Sequence, residues 1–196
     1  MVLIAGLGNP GRQYERTRHN AGFWFVDEVA RREGVDLRWE ARFGGWLGQF
    51  FHHSEAVRLF KPGQFMNRSG GPVTAVCRYF GIEAPQLLVA HDELDFPAGE
   101  VRLKVDGGHG GHNGLRSIVQ HLGRRDFVRL RIGIGRPRHG SVTDYVLGRP
   151  SNEERAAITA AIARAADCLP LLLDEGVEKA MNRLHAQAAQ KFGPKG

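Results

Sequence analysis

The sequence predicts a single α/β domain over residues 1–196, built on a twisted mixed sheet, mostly parallel, with helices on both faces. Three observations lead there. Short apolar runs alternate with stretches of helical period, the order expected of strands joined by crossover helices. At 196 residues the chain has the size of one well-buried core. Its composition, 42% hydrophobic and 24% charged, is that of a globular protein and excludes a disordered one.

The elements follow in order. Val2–Leu7 is an unbroken apolar run, read as a buried strand; it lacks the basic segment of a secretory signal. Asn20 stands where a helix cap is expected, ahead of Phe23, Phe25, Val26, Val29 and Ala30 at helical spacing. Gly44–Phe51 and Ala56–Phe60 read as a strand pair around the polar turn 52–55, with Lys61-Pro62-Gly63 as a breaker. A second helix is expected from Ser69, carrying Val73, Val76, Cys77 and Phe80. Leu87–Ala90 reads as a buried strand running into His91-Asp92-Glu93, and Val101–Val105 as a further strand. A glycine-rich loop leads to a helix over 115–122, a strand over 127–133, and two closing helices, one with Ile158, Ile162, Ala165, Leu169 and Leu172, the other after Gly176. There is no repeat, low-complexity tract or linker.

No run approaches the roughly 20 apolar residues of a bilayer span, so no membrane partner is expected. Cys77 and Cys168 each sit in an apolar helical pattern, which suits buried free thiols and a reducing cytoplasm. The net charge is +6. Residues 116–138 hold seven arginines against Asp126 alone, a surplus equal to that whole charge, and point to an anionic partner.

Several polar segments follow strand ends, where sites form in such sheets. Gly6-Leu7-Gly8-Asn9-Pro10-Gly11 has the glycine spacing of a dinucleotide loop, but Pro10 removes a donor and a polar run precedes the helix. A sharp turn presenting the Asn9 amide is the better reading. His19 sits just before a helix; a lone histidine is more often a surface or satisfied core residue, but the N-terminal end of a helix favours a neutral imidazole that can act as a base. Asp92 is placed to orient a histidine. His91, His109 and His112 lack metal-ligand spacing, so no metal is expected. Gly107–Gly114 lets backbone approach a ligand closely at a helix start. Phe65 and Met66 read as core or as a pocket wall.

Together these segments resemble the bacterial peptidyl-tRNA hydrolase family. The resemblance rests on Gly6–Gly11, Tyr14, Thr17-Arg18-His19-Asn20-Ala21-Gly22, Phe65-Met66-Asn67, Ser69-Gly70, His91-Asp92-Glu93-Leu94-Asp95, Gly107–Gly114 and Arg129–Gly135, in that order, with Tyr145–Gly148 and Asn182–His185 beyond. It implies hydrolysis of the ester joining a peptide to the 3′-terminal ribose of tRNA, by a monomer in the cytoplasm, without cofactor. It implies His19 as the base, Asp92 as its partner, and Asn9 as the residue that distinguishes blocked from free aminoacyl ends. Tyr14, Phe65, Met66, Asn67, His112 and Asn113 are implied in substrate binding, and Lys104 and Arg131 in contacts to tRNA phosphate. Asp106, two residues beyond Lys104, sets a negative charge beside that contact. Two rival readings are a dinucleotide-dependent enzyme and an RNA-binding module without catalysis.

Overall fold

The computed structural model describes residues 1–192, with side chains described as far as Ala186. Seven strands form one sheet: β1 (Leu3–Gly6), β2 (Arg38–Glu40), β3 (Gly45–His52), β4 (Glu55–Pro62), β5 (Leu87–Glu93), β6 (Val101–Val105) and β7 (Val128–Gly133), in the order β2-β3-β4-β1-β5-β7-β6. The centre, β4-β1-β5-β7, is parallel. Both edges are antiparallel, because β3 returns to β4 through a tight turn and β6 folds back on β7.

The helices are α1 (Ala21–Glu33), α2 (Gly70–Phe80), α3 (Asn113–Leu122), α4 (Val142–Val146), α5 (Asn152–Asp167), α6 (Leu169–Glu175) and α7 (Val177–Phe192). Alternation along the central strands divides them between the faces. Ile4, Leu88, Leu130 and Ile132 point to a core with residues of α1, α5, α6 and α7. Leu3, Ala5, Leu87 and Val89 point the other way, to a core with α2 and α3.

The structure departs from expectation at several points. β5 extends through Glu93, so His91 and Asp92 are strand residues. β4 runs through Pro62, which pairs with Gly45, so the proline ends the strand and does not precede the break. Asn20 is the residue before α1, but its side chain makes no capping bond. The exposed edge strand β2 and the short α4 carry no clear period and were not expected. Residues 152–175, covering α5 and α6, reach the length and hydropathy of a membrane span, contrary to expectation. That stretch is divided at Cys168 into α5 and α6 and packs Ile158, Ile162, Ala165, Leu169 and Leu172 into the core.

Two glycines set the distance between layers. A Cβ on Gly22 would lie 2.2 Å from the Ala90 carbonyl oxygen, and one on Gly6 2.3 Å from the Gly22 oxygen. α1 therefore starts pressed against the ends of β1 and β5, which carries the residues just before it to the end of β5. Gly22→Ala must push backbone against backbone. Its expected cost is about 1–3 kcal/mol, read as a fall of several degrees in Tm, with hydrolytic activity falling in the folded fraction as well. A variant with wild-type Tm and activity would show that this close approach is not needed.

Candidate active site

The chain brings His19, Asp92 and His112 together from three elements. Asp92 lies at the end of β5 with its side chain 2% exposed. His19 sits on the 3₁₀ turn Arg18–Asn20 ahead of α1 and sets Nδ1 at 3.0 and 2.9 Å from the two Asp92 oxygens. His112, the residue capping α3, sets Nε2 at 2.8 Å from Asp92 Oδ1. Its Nδ1 accepts the backbone N–H groups of Gly114 and Leu115 at 3.2 and 3.3 Å. A nitrogen that accepts carries no proton, so the proton of His112 lies on Nε2 and is donated to Asp92. His19 likewise donates from Nδ1, which leaves its Nε2 with a lone pair and no hydrogen-bond partner among the described residues.

Burial works against the charge on Asp92, but the charges and hydrogen bonds of His19 and His112 outweigh it and hold the carboxyl far below the ordinary range. Burial likewise lowers His19, yet the charge and hydrogen bond of Asp92 prevail, and its pKa lies above the usual 6.5. His91 is different. It donates Nδ1–H to the Asp92 carbonyl at 2.7 Å, its Nε2 is buried without a partner, and burial, reinforced by His112, pushes it down to about 3. It is a packing residue behind the site, edge-on to His112 with ring centroids 5.0 Å apart.

These groups open onto a cavity of about 750 Å³. Asn9 lines it, held by three hydrogen bonds. The Asn20 side chain bonds the Asn9 backbone N–H and C=O at 2.9 and 3.0 Å, and the Asn9 Oδ1 accepts the Met66 N–H at 2.7 Å. With its oxygen committed, Asn9 turns its NH₂ toward the cavity. Phe65, Met66, Asn67, His112 and Asn113 also line the cavity, and Phe65 is 54% exposed. Tyr14 does not line it; the ring packs edge-on against Phe65 at 6.1 Å and supports it from outside.

Lys104, Arg129, Arg131 and Arg136 also line the cavity, with Glu93 and Asp95 among them. The arginine-rich stretch is not one open anion surface, however. Arg124 pairs with Asp126, Arg131 with Glu93 and Arg136 with Asp95. Arg129 is buried and donates to the carbonyls of Gly107 and Gly108, so it shapes the glycine-rich loop. Its alternation with Val128 and Leu130 in an apolar strand was the available signal. Asp106 turns back onto the Gly107 amide and makes no ion pair with Lys104 among the described residues. Sequence reading also missed Arg18, buried, stacked on Tyr145 at 4.1 Å and bonded to Glu154 at 2.8 Å, which ties the His19 turn to α4 and α5.

Among the described residues, His91, His109 and His112 do not converge as a metal set, whereas His19, Asp92 and His112 do. A metal there would have to displace the hydrogen bonds that fix both tautomers. Cys77 and Cys168 are free and buried, and neither lines the cavity. An imidazole held by a buried carboxylate and facing a cavity ringed by amide groups is an arrangement suited to general-base chemistry.

The comparisons with known proteins agree. The peptidyl-tRNA hydrolase family profile matches residues 3–192. A peptidyl-tRNA hydrolase of Methylococcus capsulatus is 56% identical over 93% of this chain and 98% of its own length. One of Coxiella burnetii is 51% identical over 94% of this chain and 97% of its own. The crystal structure of peptidyl-tRNA hydrolase from Acinetobacter baumannii superposes with a TM-score of 0.90 at 45% identity, covering 94% of both chains. The chain belongs to the peptidyl-tRNA hydrolase family.

The sign of the pH dependence follows from the His19 pair. An imidazole can act as a base only when unprotonated, and Asp92 raises the pKa of His19. Activity should therefore fall with acid along a limb of kcat/KM centred above 6.5 in the free enzyme. Asp92→Asn removes the charge that raises it, so the limb should move toward lower pH even as kcat drops. A limb that stays in place in Asp92→Asn would disconnect the two residues. Stability follows the same linkage. The contribution of protonated His19 is present below 6.5 and lost as pH rises through its higher folded value. That of Asp92 is present above the usual carboxylate range and lost only in strong acid.

Proposed function

We propose that the chain hydrolyses the ester between a peptide and the 3′-terminal ribose of tRNA, with His19 as general base, Asp92 as its partner and water as nucleophile. One observation carries the assignment: His19 has Nδ1 held by a buried carboxylate and Nε2 open to the cavity. Nε2 takes a proton from water as its oxygen attacks the ester carbonyl, and Asp92 stabilises the imidazolium that forms. The imidazolium then returns the proton to the leaving ribose oxygen. No serine or cysteine lines the cavity among the described residues, which favours water. The carbonyl oxygen gains charge in the transition state, and the amide groups of Asn9, Asn67 and Asn113 are the donors at hand.

Asn9 supplies the discrimination. Its oxygen is committed to Met66, so it offers only N–H donors. A peptide carbonyl can accept from them; the free ammonium of an aminoacyl-tRNA has only donors and a positive charge. Phe65, braced by Tyr14, offers an aromatic face to the terminal adenine. Lys104, and Arg131 through the guanidinium nitrogens that its Nε bond to Glu93 leaves open, contact backbone phosphate. The resemblance to the family suits a monomer, and two buried thiols suit the cytoplasm.

Steady-state hydrolysis of N-acetyl-aminoacyl-tRNA tests the reading. His19→Ala should lower kcat by about 10²–10⁴-fold with little change in KM. The double variant with Asp92→Asn should be barely worse, as for two groups acting as one unit. Near-wild-type turnover in His19→Ala would end the assignment. Asn9→Asp keeps the oxygen for Met66 but replaces the inward donors with a carboxylate, so unblocked aminoacyl-tRNA should gain relative to the blocked form; an unchanged ratio would place discrimination elsewhere. Lys104→Ala should raise KM for tRNA substrates, leave short ester mimics alone and lower the salt slope by about one unit or slightly less. Equal losses on both substrates would remove Lys104 from the backbone contact.

A further inference from the structure

A second cluster with metal-ligand chemistry lies at the turn between β3 and β4, away from the catalytic cavity. Neighbouring residues of an extended strand point to opposite faces, so His52 and His53 would diverge if the chain ran straight. It does not. His53 takes φ 53°, one of two non-glycine residues with positive φ among those described, in the left-handed region where histidine is tolerated. Its ring swings back beside that of His52, with centroids 4.4 Å apart. Both Nε2 atoms then meet one oxygen, Asp174 Oδ1, at 2.6 and 3.1 Å. Asp174 comes from the last turn of α6, more than 120 residues away in sequence; Glu175 follows it there and no basic residue belongs to that turn. Carboxylates at the negative end of a helix favour a cation nearby.

We propose that His52, His53 and Asp174 form a surface site for a divalent transition-metal ion of the zinc class. Two imidazole nitrogens and one carboxylate oxygen are a three-ligand set that leaves a fourth tetrahedral position to water. Ligand atoms at about 2.0–2.2 Å from a tetrahedral ion stand roughly 3.3 Å from one another. His53 is already close to that distance from Asp174, and His52 has to open by less than about 1 Å. The ion takes the two Nε2 lone pairs. A neutral ring keeps its proton by moving it to Nδ1, and a charged ring releases one proton to solvent. Imidazole ligands suit zinc, nickel, cobalt and copper, whereas a single carboxylate oxygen is too poor a set for calcium or magnesium. An ion here would fasten the hairpin tip to α6, joining distant parts of the chain, and would act on stability without touching the hydrolytic step.

The test uses the full chain without an affinity tag, titrated with zinc chloride by calorimetry and by thermal unfolding. One ion per chain is expected, with Tm rising by about 5–10 °C at a hundredfold excess over Kd. Losing a direct ligand should cost at least the roughly 10–100-fold that losing an outer-shell partner costs. His53→Ala and Asp174→Asn should each show that loss while hydrolysing N-acetyl-aminoacyl-tRNA at the wild-type rate. His53→Asn, which tolerates the same left-handed backbone, separates ligand loss from a distorted turn and should also bind weakly. Asp92→Asn should bind zinc as the wild type does. Zinc binding absent from the wild type, or unaffected by His53→Ala and Asp174→Asn together, would overturn the proposal. So would binding lost in Asp92→Asn but kept in His53→Ala, which would place the ion at the catalytic cluster.

Discussion

The site is organised by one buried charge. Asp92 sits in the interior with its side chain 2% exposed, and an isolated carboxylate there would be strongly disfavoured. It is tolerated because two imidazole N–H groups reach it, from the turn before α1 and from the start of α3. The carboxylate therefore ties three elements that are distant in sequence to a single point. Removing one partner of such a group typically destabilises by about 3–5 kcal/mol, because the charge is left uncompensated. With two donors, the charge keeps His112 whatever the protonation state of His19.

The same economy of motion holds on the other side of the cavity. Asn9 is fixed through its backbone by Asn20 and through its side-chain oxygen by Met66. Asn20 thus closes the loop between the first strand and the His19 turn, where a conventional helix cap would have satisfied only α1. The absence of side chains at Gly6 and Gly22 lets these segments touch. Donors held in this way need little reorganisation as charge develops on a substrate oxygen, the condition under which electrostatic stabilisation is most effective.

The strands and helices were legible because burial imposes its period on the residues: Leu3, Ala5 and Leu7 face one core and Ile4 the other. What periodicity does not carry was less legible. β2 is exposed on every residue and has no buried face to announce it. His19 and Asp92 are 73 residues apart, so no local spacing links them; each segment was suggestive alone, and their pairing came through resemblance to a family. Counting arginines over 116–138 located a positive stretch but not its use. The partners that neutralise Arg131 and Arg136, Glu93 and Asp95, lie on β5 and the loop after it. Tyr14 was placed in substrate binding by the family resemblance alone, and its ring packs against Phe65 without lining the cavity, a distinction that only packing can make.

Two histidines share one carboxylate, and their other nitrogens decide which of them can be the base. His112 and His19 both donate to Asp92, so the acid partner alone does not distinguish them. The lone pair of His112 is engaged by the first free amides of α3, those of Gly114 and Leu115. Those amides would otherwise lack partners, as the first N–H groups of any helix do. Protonating His112 at Nδ1 would replace that attraction with a clash of donors at the positive end of the helix. His19 stands before α1 without such a duty, and its Nε2 remains directed at the cavity. The different hydrogen bonding of the two rings thus follows from how the backbone of α3 begins, and the glycine at position 114, where a Cβ would lie 2.5 Å from the Met66 sulfur, keeps that start close to the pocket wall.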